Sequence, residues 1–136
     1  MILALPALVG VTGVEIQAEL HAIALAANGL GASGVTFLRG DLSDPATATA
    51  SVGTADIVFV YSTCMPADGA KCVPVDDANC LSSDLSLALL AAPRDTVVIT
   101  TDRTLADDDF TLLLAELDQV SEVSESSVDV YFWRRR

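Results

Sequence analysis

The sequence predicts an α/β fold in which a mostly parallel sheet is closed by an antiparallel hairpin. Short apolar runs rich in β-branched residues alternate with segments of helical periodicity along the chain, which is typical of parallel α/β sheets. The last two runs instead alternate apolar with polar residues, as antiparallel strands with one solvated face do. The 136 residues are 51% hydrophobic and 19% charged, enough for one domain with its own core. We therefore expect a single domain over residues 1–136.

Four near-continuous apolar runs predict strands that are buried on both faces, as a parallel sheet requires. A helix is predicted directly after the first strand, because Leu20, Ile23 and Ala27 fall on one helical face. Asn28-Gly29 then supplies its stop. The four strands are predicted at Val11–Ile16, Val35–Leu38, Asp56–Val60 and Thr96–Thr101.

Two further helices and a hairpin complete the predicted order. The second helix runs from about Ser83 to Ala92 and is ended by Pro93. A third is expected after the acidic run at 107–109, which suits a helix amino terminus, because four apolar residues follow at helical spacing. Residues 65–82, rich in Pro, Gly and Asp, are expected to form a loop excursion. The four apolar residues are Phe110, Leu113, Leu114 and Leu117, and the hairpin strands are Gln119–Ser124 and Ser127–Trp133.

The charge and the apolar start exclude several classes of protein. A net charge of −12, from 19 acidic and 7 basic residues, argues against binding to a nucleic-acid backbone. Met1–Gly10 is apolar but too short for a membrane span, and it lacks the positive flank of a secretory signal. We expect neither a nucleic-acid partner nor a membrane association.

The three cysteines, Cys64, Cys72 and Cys80, favour a reducing compartment, because an odd number at wide spacing does not form a disulfide scaffold. A cytoplasmic or nuclear location follows. Their equal spacing of eight lacks the close ligand pairs of zinc sites, so no metal is expected.

The most informative stretch is Gly13-Val-Glu-Ile16, followed at once by the first predicted helix. Open α/β sheets place an acidic residue at the carboxyl end of a strand, where it can accept hydrogen bonds from both hydroxyls of a ribose. Glu15 is therefore the first candidate ligand contact. An ordinary exposed acid at a strand end is the alternative.

Five stretches in this order resemble class I S-adenosylmethionine-dependent methyltransferases. The similarity is greatest to the branch related to the telomeric-silencing (non-SET) histone lysine methyltransferases. The stretches are Gly13–His21, Val35–Asp41, Ala55–Cys64, Val97–Thr101 and Val130–Arg135.

The resemblance implies a Rossmann-like methyltransferase sheet that binds S-adenosylmethionine. Glu15 matches the residue that binds the cofactor ribose, Ile16 the apolar residue beside the adenine, and Asp41 the residue that holds the adenine amino group. The loop with Tyr61, Ser62 and Thr63 matches the place where methyl group and acceptor meet. Related sequences usually carry asparagine in this loop, where this chain has Tyr61 and Ser62. The implied acceptor is a protein nitrogen, such as a histone lysine.

The family's first strand and glycine-rich loop would precede residue 1, so the resemblance implies an amino-terminally truncated domain. Met1–Gly10 is then expected to be the remainder of the helix after that loop. Two strands would lack a neighbour, which a homo-oligomer could supply. Two alternatives stay open: a catalytically inactive methyltransferase fold that serves as a binding or scaffold module, and a nicotinamide dinucleotide binder that uses Glu15 for its ribose.

Overall fold

The computed structural model describes residues 10–29, 34–62, 65, 79–106, 108–120 and 127–136. Strands and helices alternate through the first two thirds of the chain, and strands close it. Three helices are described: α1 (Ala18–Asn28), α2 (Pro45–Val52) and α3 (Ser83–Leu89). The strands are β1 (Val11–Glu15), β2 (Val35–Arg39), β3 (Ile57–Val60), β4 (Asn79–Cys80), β5 (Val97–Thr101), β6 (Arg103–Thr104), β7 (Phe110–Val120) and β8 (Ser127–Arg135).

The described strands form one larger sheet and two small ones. The larger sheet has the order β3-β5-β8-β7, in which β3 and β5 are parallel and β8 is antiparallel to both β5 and β7. β1 and β2 form a parallel pair, and so do the short strands β4 and β6. The mixed α/β fold with a closing antiparallel hairpin is thus confirmed. Helix α2 contacts both β1 and α3, and so connects the first strand pair to the larger sheet.

The predicted third helix is wrong, because its apolar residues belong to β7. The pairing of β7 with β8 shifts register between Leu112 and Leu114, and again between Glu116 and Gln119. Each such bulge adds a residue and resets the alternation of side chains between the two faces. Apolar residues on a strand bulged in this way fall at spacings that imitate a helix. Asp108 and Asp109 lie in the turn before β7, not at a helix start, and Asp107 is outside the described residues.

The sequence analysis missed α2, which carries a clear start signal but no apolar stripe. Asp44 is its N-cap, and Pro45 occupies the first turn. One carboxylate oxygen of Asp44 accepts hydrogen bonds from the Thr47 N–H (2.9 Å) and the Thr47 hydroxyl (2.8 Å). These bonds lower the pKa of Asp44, the bond from the backbone N–H contributing most. The Ala- and Thr-rich composition of the helix hides this signal from an analysis based on hydrophobic periodicity.

The core lies on one side of the larger sheet. Val58 and Val98 on the sheet cluster with Leu89 of α3 and with Trp133, which is fully buried. The Trp133 indole N–H donates to Thr100 Oγ1 at 3.0 Å, so the largest core side chain has its polar atom paired.

The opposite side of β3 is open. Ile57 and Phe59 are 61% and 62% exposed, so the predicted burial of this strand on both faces is not found. The apolar face predicted for α1 is also largely open, because Leu20 and Ile23 are 45% and 64% exposed. Within the described part of the chain, β1 pairs only with β2 and β3 only with β5.

Candidate cofactor site at the carboxyl ends of the strands

The carboxyl ends of β1 and β2 meet at one edge. The two strands pair in register, with Glu15 opposite Arg39. The pairing extends one residue further, because the Gly40 N–H donates to the Glu15 carbonyl oxygen at 3.2 Å. Asp41 follows directly, so the structure brings the two predicted adenosine contacts to neighbouring strand ends. Ligands of open α/β sheets bind at such ends.

Glu15 is held in place by the start of α1. Its Oε1 accepts a hydrogen bond from the backbone N–H of Gln17 at 2.7 Å. Gln17 is the N-cap residue of α1, and its own side chain makes no capping hydrogen bond. Among the described residues no hydrogen-bond partner of Oε2 is found, so this oxygen is available as an acceptor. Ile16, 59% exposed, adds an apolar surface beside it.

Asp41 is exposed and held in its ionised form. Its Oδ1 accepts hydrogen bonds from the Ser43 hydroxyl (2.7 Å) and from the Ser43 N–H (2.8 Å). These two bonds lower the pKa of Asp41, the hydroxyl contributing most. The preceding residue is glycine, and a Cβ there would lie 2.8 Å from the Thr47 side chain of α2, so a larger residue would force Thr47 to shift.

The structure separates the residues predicted to face the acceptor. Tyr61, just past β3, is 58% exposed. Ser62 is fully buried, and its hydroxyl donates to the Thr101 carbonyl oxygen at 2.6 Å. The structure therefore shows the Ser62 hydroxyl engaged with the neighbouring strand, and the catalytic role expected for Ser62 stays a prediction. Thr63 lies outside the described residues.

The cysteine expectation needs a correction. Cys80, 4% exposed, is disulfide-bonded, whereas the sequence favoured reduced thiols. An odd number of cysteines argues against a disulfide scaffold but does not prevent one pair. Cys64 and Cys72 lie outside the described residues. Among the described residues no group of three His, Cys, Asp or Glu side chains could hold a metal ion, and no helix is long and apolar enough to cross a membrane.

Sequence reasoning missed the residues at the carboxyl end of β5. Thr101 bonds Ser62, and Asp102 adopts a positive φ of 54°, which few residue types other than glycine and asparagine or aspartate accept. The signal available was an aspartate directly after a β-branched run. His21 is half-buried, with its Nε2 3.4 Å from the Phe37 carbonyl oxygen.

Comparison with solved structures finds a protein of similar fold. A structure described as "Putative methyltransferase yhhF from Escherichia coli" matches with a TM-score of 0.57 and 14% sequence identity. The match covers 94% of this chain and 65% of that one, so the chain spans about two thirds of its length. No protein-family model matches the chain, and no curated protein does. At this level of identity the likeness shows a shared fold alone.

Proposed function

We propose that this chain is a domain of an S-adenosylmethionine-dependent methyltransferase that binds the cofactor at the carboxyl ends of β1 and β2. One observation carries the proposal. The carboxylate of Glu15, with one oxygen available as an acceptor, lies at a helix start beside an exposed Ile16, one strand away from an ionised Asp41. These carboxylates would supply acceptors for the two ends of an adenosine, which offers ribose hydroxyls at one end and an amino group at the other.

The residues present fit the adenosine part of the cofactor. Glu15 Oε2 would accept from the ribose hydroxyls while Oε1 stays bonded to the Gln17 N–H. Ile16 would pack against the adenine, and an Asp41 carboxylate oxygen would accept from the adenine amino group. When bound, the cofactor supplies a methyl group on a sulfonium that is ready for displacement. The chain's contribution is to bind and orient, which is where most of the catalysis of such a displacement lies.

The acceptor that we propose is a nitrogen on a basic protein segment, such as a histone lysine. The resemblance suggests this class, and the net charge of −12 supports it, because a basic segment is attracted to an acidic domain. Tyr61, exposed at the end of β3, is the described residue that would face it. A nuclear or cytoplasmic location goes with this acceptor.

Methyl transfer tests the proposal directly. The wild-type chain is incubated with methyl-labelled S-adenosylmethionine and a lysine-rich peptide, with a peptide whose lysines are replaced by glutamine as the control. We expect label in the lysine peptide alone, and its loss in Glu15→Gln. Equal labelling by wild type and Glu15→Gln, or label in neither peptide, would contradict the proposal.

A second candidate is a methyltransferase fold that binds a partner and catalyses nothing. The observations that favour it are the engaged hydroxyl of Ser62 and the exposed Ile57 and Phe59, since large apolar side chains left open often mark an interaction surface. A homo-oligomer is one form of it. Sedimentation velocity separates the two candidates: a folded chain that self-associates through this face but fails to bind S-adenosylhomocysteine would support the second.

A further inference from the structure

Three hydrogen bonds join Ser62 to Thr101, two buried residues at the carboxyl ends of β3 and β5. The Ser62 N–H donates to Thr101 Oγ1 at 2.9 Å, and the Ser62 hydroxyl donates to the Thr101 carbonyl oxygen at 2.6 Å. The Thr101 N–H donates to Ser62 Oγ at 3.1 Å. Regular pairing of these strands ends at Val60 and Thr100. The side chains thus continue the ladder after the backbone of β3 has left the sheet.

A second attachment follows at Met65. The Met65 N–H donates to the Ser62 carbonyl oxygen at 3.0 Å, and the Met65 carbonyl oxygen accepts from Arg103 Nε at 3.3 Å. Met65 also packs against the core. The chain that leaves β3 is therefore attached twice to the segment Thr101–Arg103, first through Ser62 and then through Met65.

Asp102 arranges both attachments. Its left-handed backbone, with φ at 54°, turns the chain between β5 and β6. The turn is fixed on β8 by a reciprocal pair, in which the Asp102 N–H donates to the Asp129 carbonyl oxygen and the Asp129 N–H donates to Asp102 Oδ1, each at 2.8 Å. Strand β8 therefore sets the position of Thr101 and Arg103, and through them that of Ser62 and Met65.

We propose that Thr101 and Arg103 are positioning residues, which act through Ser62 and Met65 to fix the direction of Tyr61 at the carboxyl end of the larger sheet. The identity of the molecule that Tyr61 would face rests on the proposed function. The positioning of Tyr61 by Thr101 and Arg103 does not. Tyr61 is exposed and has a buried, fully bonded neighbour on its carboxyl side. We expect its direction to follow from the fixed position of Ser62 more than from packing of its own, largely exposed ring.

Thr96 provides a matched control. It lies at the opposite end of the same strand pair, is 3% exposed, and its hydroxyl donates to the Ala55 carbonyl oxygen at 2.8 Å. Thr96→Val and Thr101→Val therefore each remove one buried hydroxyl between β3 and β5. The two variants differ in which end of the strands they disturb.

Amide hydrogen exchange tests the positioning without any ligand. Thr101→Val removes the hydroxyl that accepts from the Ser62 N–H, so exchange at the Ser62 amide is expected to speed up about tenfold more than in Thr96→Val. The Val98 amide is the reference for global stability. Thr101→Ser should restore the wild-type rate. Arg103→Met is expected to speed exchange at Met65. Equal rates at Ser62 in the two valine variants, or no rescue by serine, would overturn the proposal.

Kinetics then test the link to the proposed function. With S-adenosylmethionine and the lysine peptide, Thr101→Val is expected to lower kcat about tenfold while the KM for S-adenosylmethionine stays within about twofold, because Glu15 and Asp41 lie on the other strand pair. Thr96→Val should leave both unchanged. A rise in that KM with kcat unchanged would contradict the role at the acceptor side. Absence of transfer by wild type would refute the proposed function and leave the exchange result to decide the positioning.

Discussion

At the scale of single residues, the polar groups that matter most in this chain are held by specific hydrogen bonds. Glu15 and Asp41 each accept hydrogen bonds from groups two residues further on, so the carboxylates are oriented before any ligand arrives. The buried hydroxyls of Ser62 and Thr100 are equally fixed, by Thr101 and Arg103. Such orientation lowers the entropy lost on binding. The candidate site is therefore made of groups that need little rearrangement.

The hydroxyl of Thr100 allows a test of how much such hydrogen bonds stabilise the core. Its hydroxyl accepts from the Trp133 indole N–H at 3.0 Å and donates to the Arg103 carbonyl oxygen at 2.6 Å. Thr100→Val leaves the buried indole N–H unpaired, so we expect it to lower the free energy of unfolding by about 1–3 kcal/mol. Thr100→Ser should lower it much less. Urea denaturation followed by Trp133 fluorescence measures both, and equal stability of Thr100→Val and wild type would contradict this role.

At the scale of the elements, α3 separates a core face from an open one. Leu89 is fully buried in the core cluster, whereas Leu87, two residues earlier, is 62% exposed. We expect Leu89→Ala to lower the free energy of unfolding by about 2–5 kcal/mol and Leu87→Ala by no more than about 0.5 kcal/mol. Denaturant titration of the pair checks this. Similar losses for both variants would mean that Leu87 is covered in solution.

The cap of α2 should make the stability of this element depend on pH. Hydrogen bonds from Thr47 hold the pKa of Asp44 below its ordinary value of 3.8. The cap therefore stabilises the folded state above that value, and this contribution is lost as the pH falls through the lowered pKa. Asp44→Ala is expected to lower Tm by roughly 2–5 °C at pH 7, and Asp44→Asn by less. A Tm difference between Asp44→Ala and wild type that stays constant down to pH 2 would contradict the cap.

The elements also show which parts of the fold the sequence predicts well. The runs that became β1, β3 and β5 are β-branched and short, so their local preference and their final state agree. In β7 two bulges make apolar spacing resemble that of a helix, and only pairing with β8 decides the outcome. Helix α2 lacks an apolar stripe altogether. Periodicity therefore fails where tertiary pairing or a cap, and not a buried stripe, determines the element.

For the candidate site, sequence reasoning located the strand ends but not the bonds made there. Glu15 and Asp41 come to neighbouring strand ends as expected, because parallel strands in register bring their carboxyl ends together. Ser62 was expected to meet a substrate and is instead buried against Thr101. The distinction depends on a partner 39 residues away, which no local pattern contains.

At the scale of the whole molecule, the chain is acidic and, among its described residues, the core lies on one side of the larger sheet. Buried side chains lie between the larger sheet and α3, while Ile57 and Phe59 are open on the other side. The net charge of −12 adds repulsion that opposes the compact state. Both features make the stability of this domain sensitive to its surroundings.

Salt should stabilise the folded chain. Raising sodium chloride from 10 to 150 mM shortens the screening length from about 30 Å to about 8 Å, which weakens repulsion among the acidic residues. We expect Tm to rise by roughly 2–5 °C, and by the same amount in potassium chloride, because the effect is one of screening. Differential scanning calorimetry measures it. A Tm that falls over this range would show that specific ion pairs outweigh the repulsion.

The central claim is that Glu15 holds the adenosine of an S-adenosyl cofactor, and isothermal titration with S-adenosylhomocysteine tests it most directly. The variant is Glu15→Gln, and Glu19→Gln is the control, since Glu19 is an exposed acid in the first turn of the same helix. We predict binding by wild type and by Glu19→Gln, with a Kd at least about tenfold higher in Glu15→Gln, as expected for loss of a charge-assisted hydrogen bond. Equal affinity in all three chains, or no binding by a folded wild-type chain, would contradict the claim.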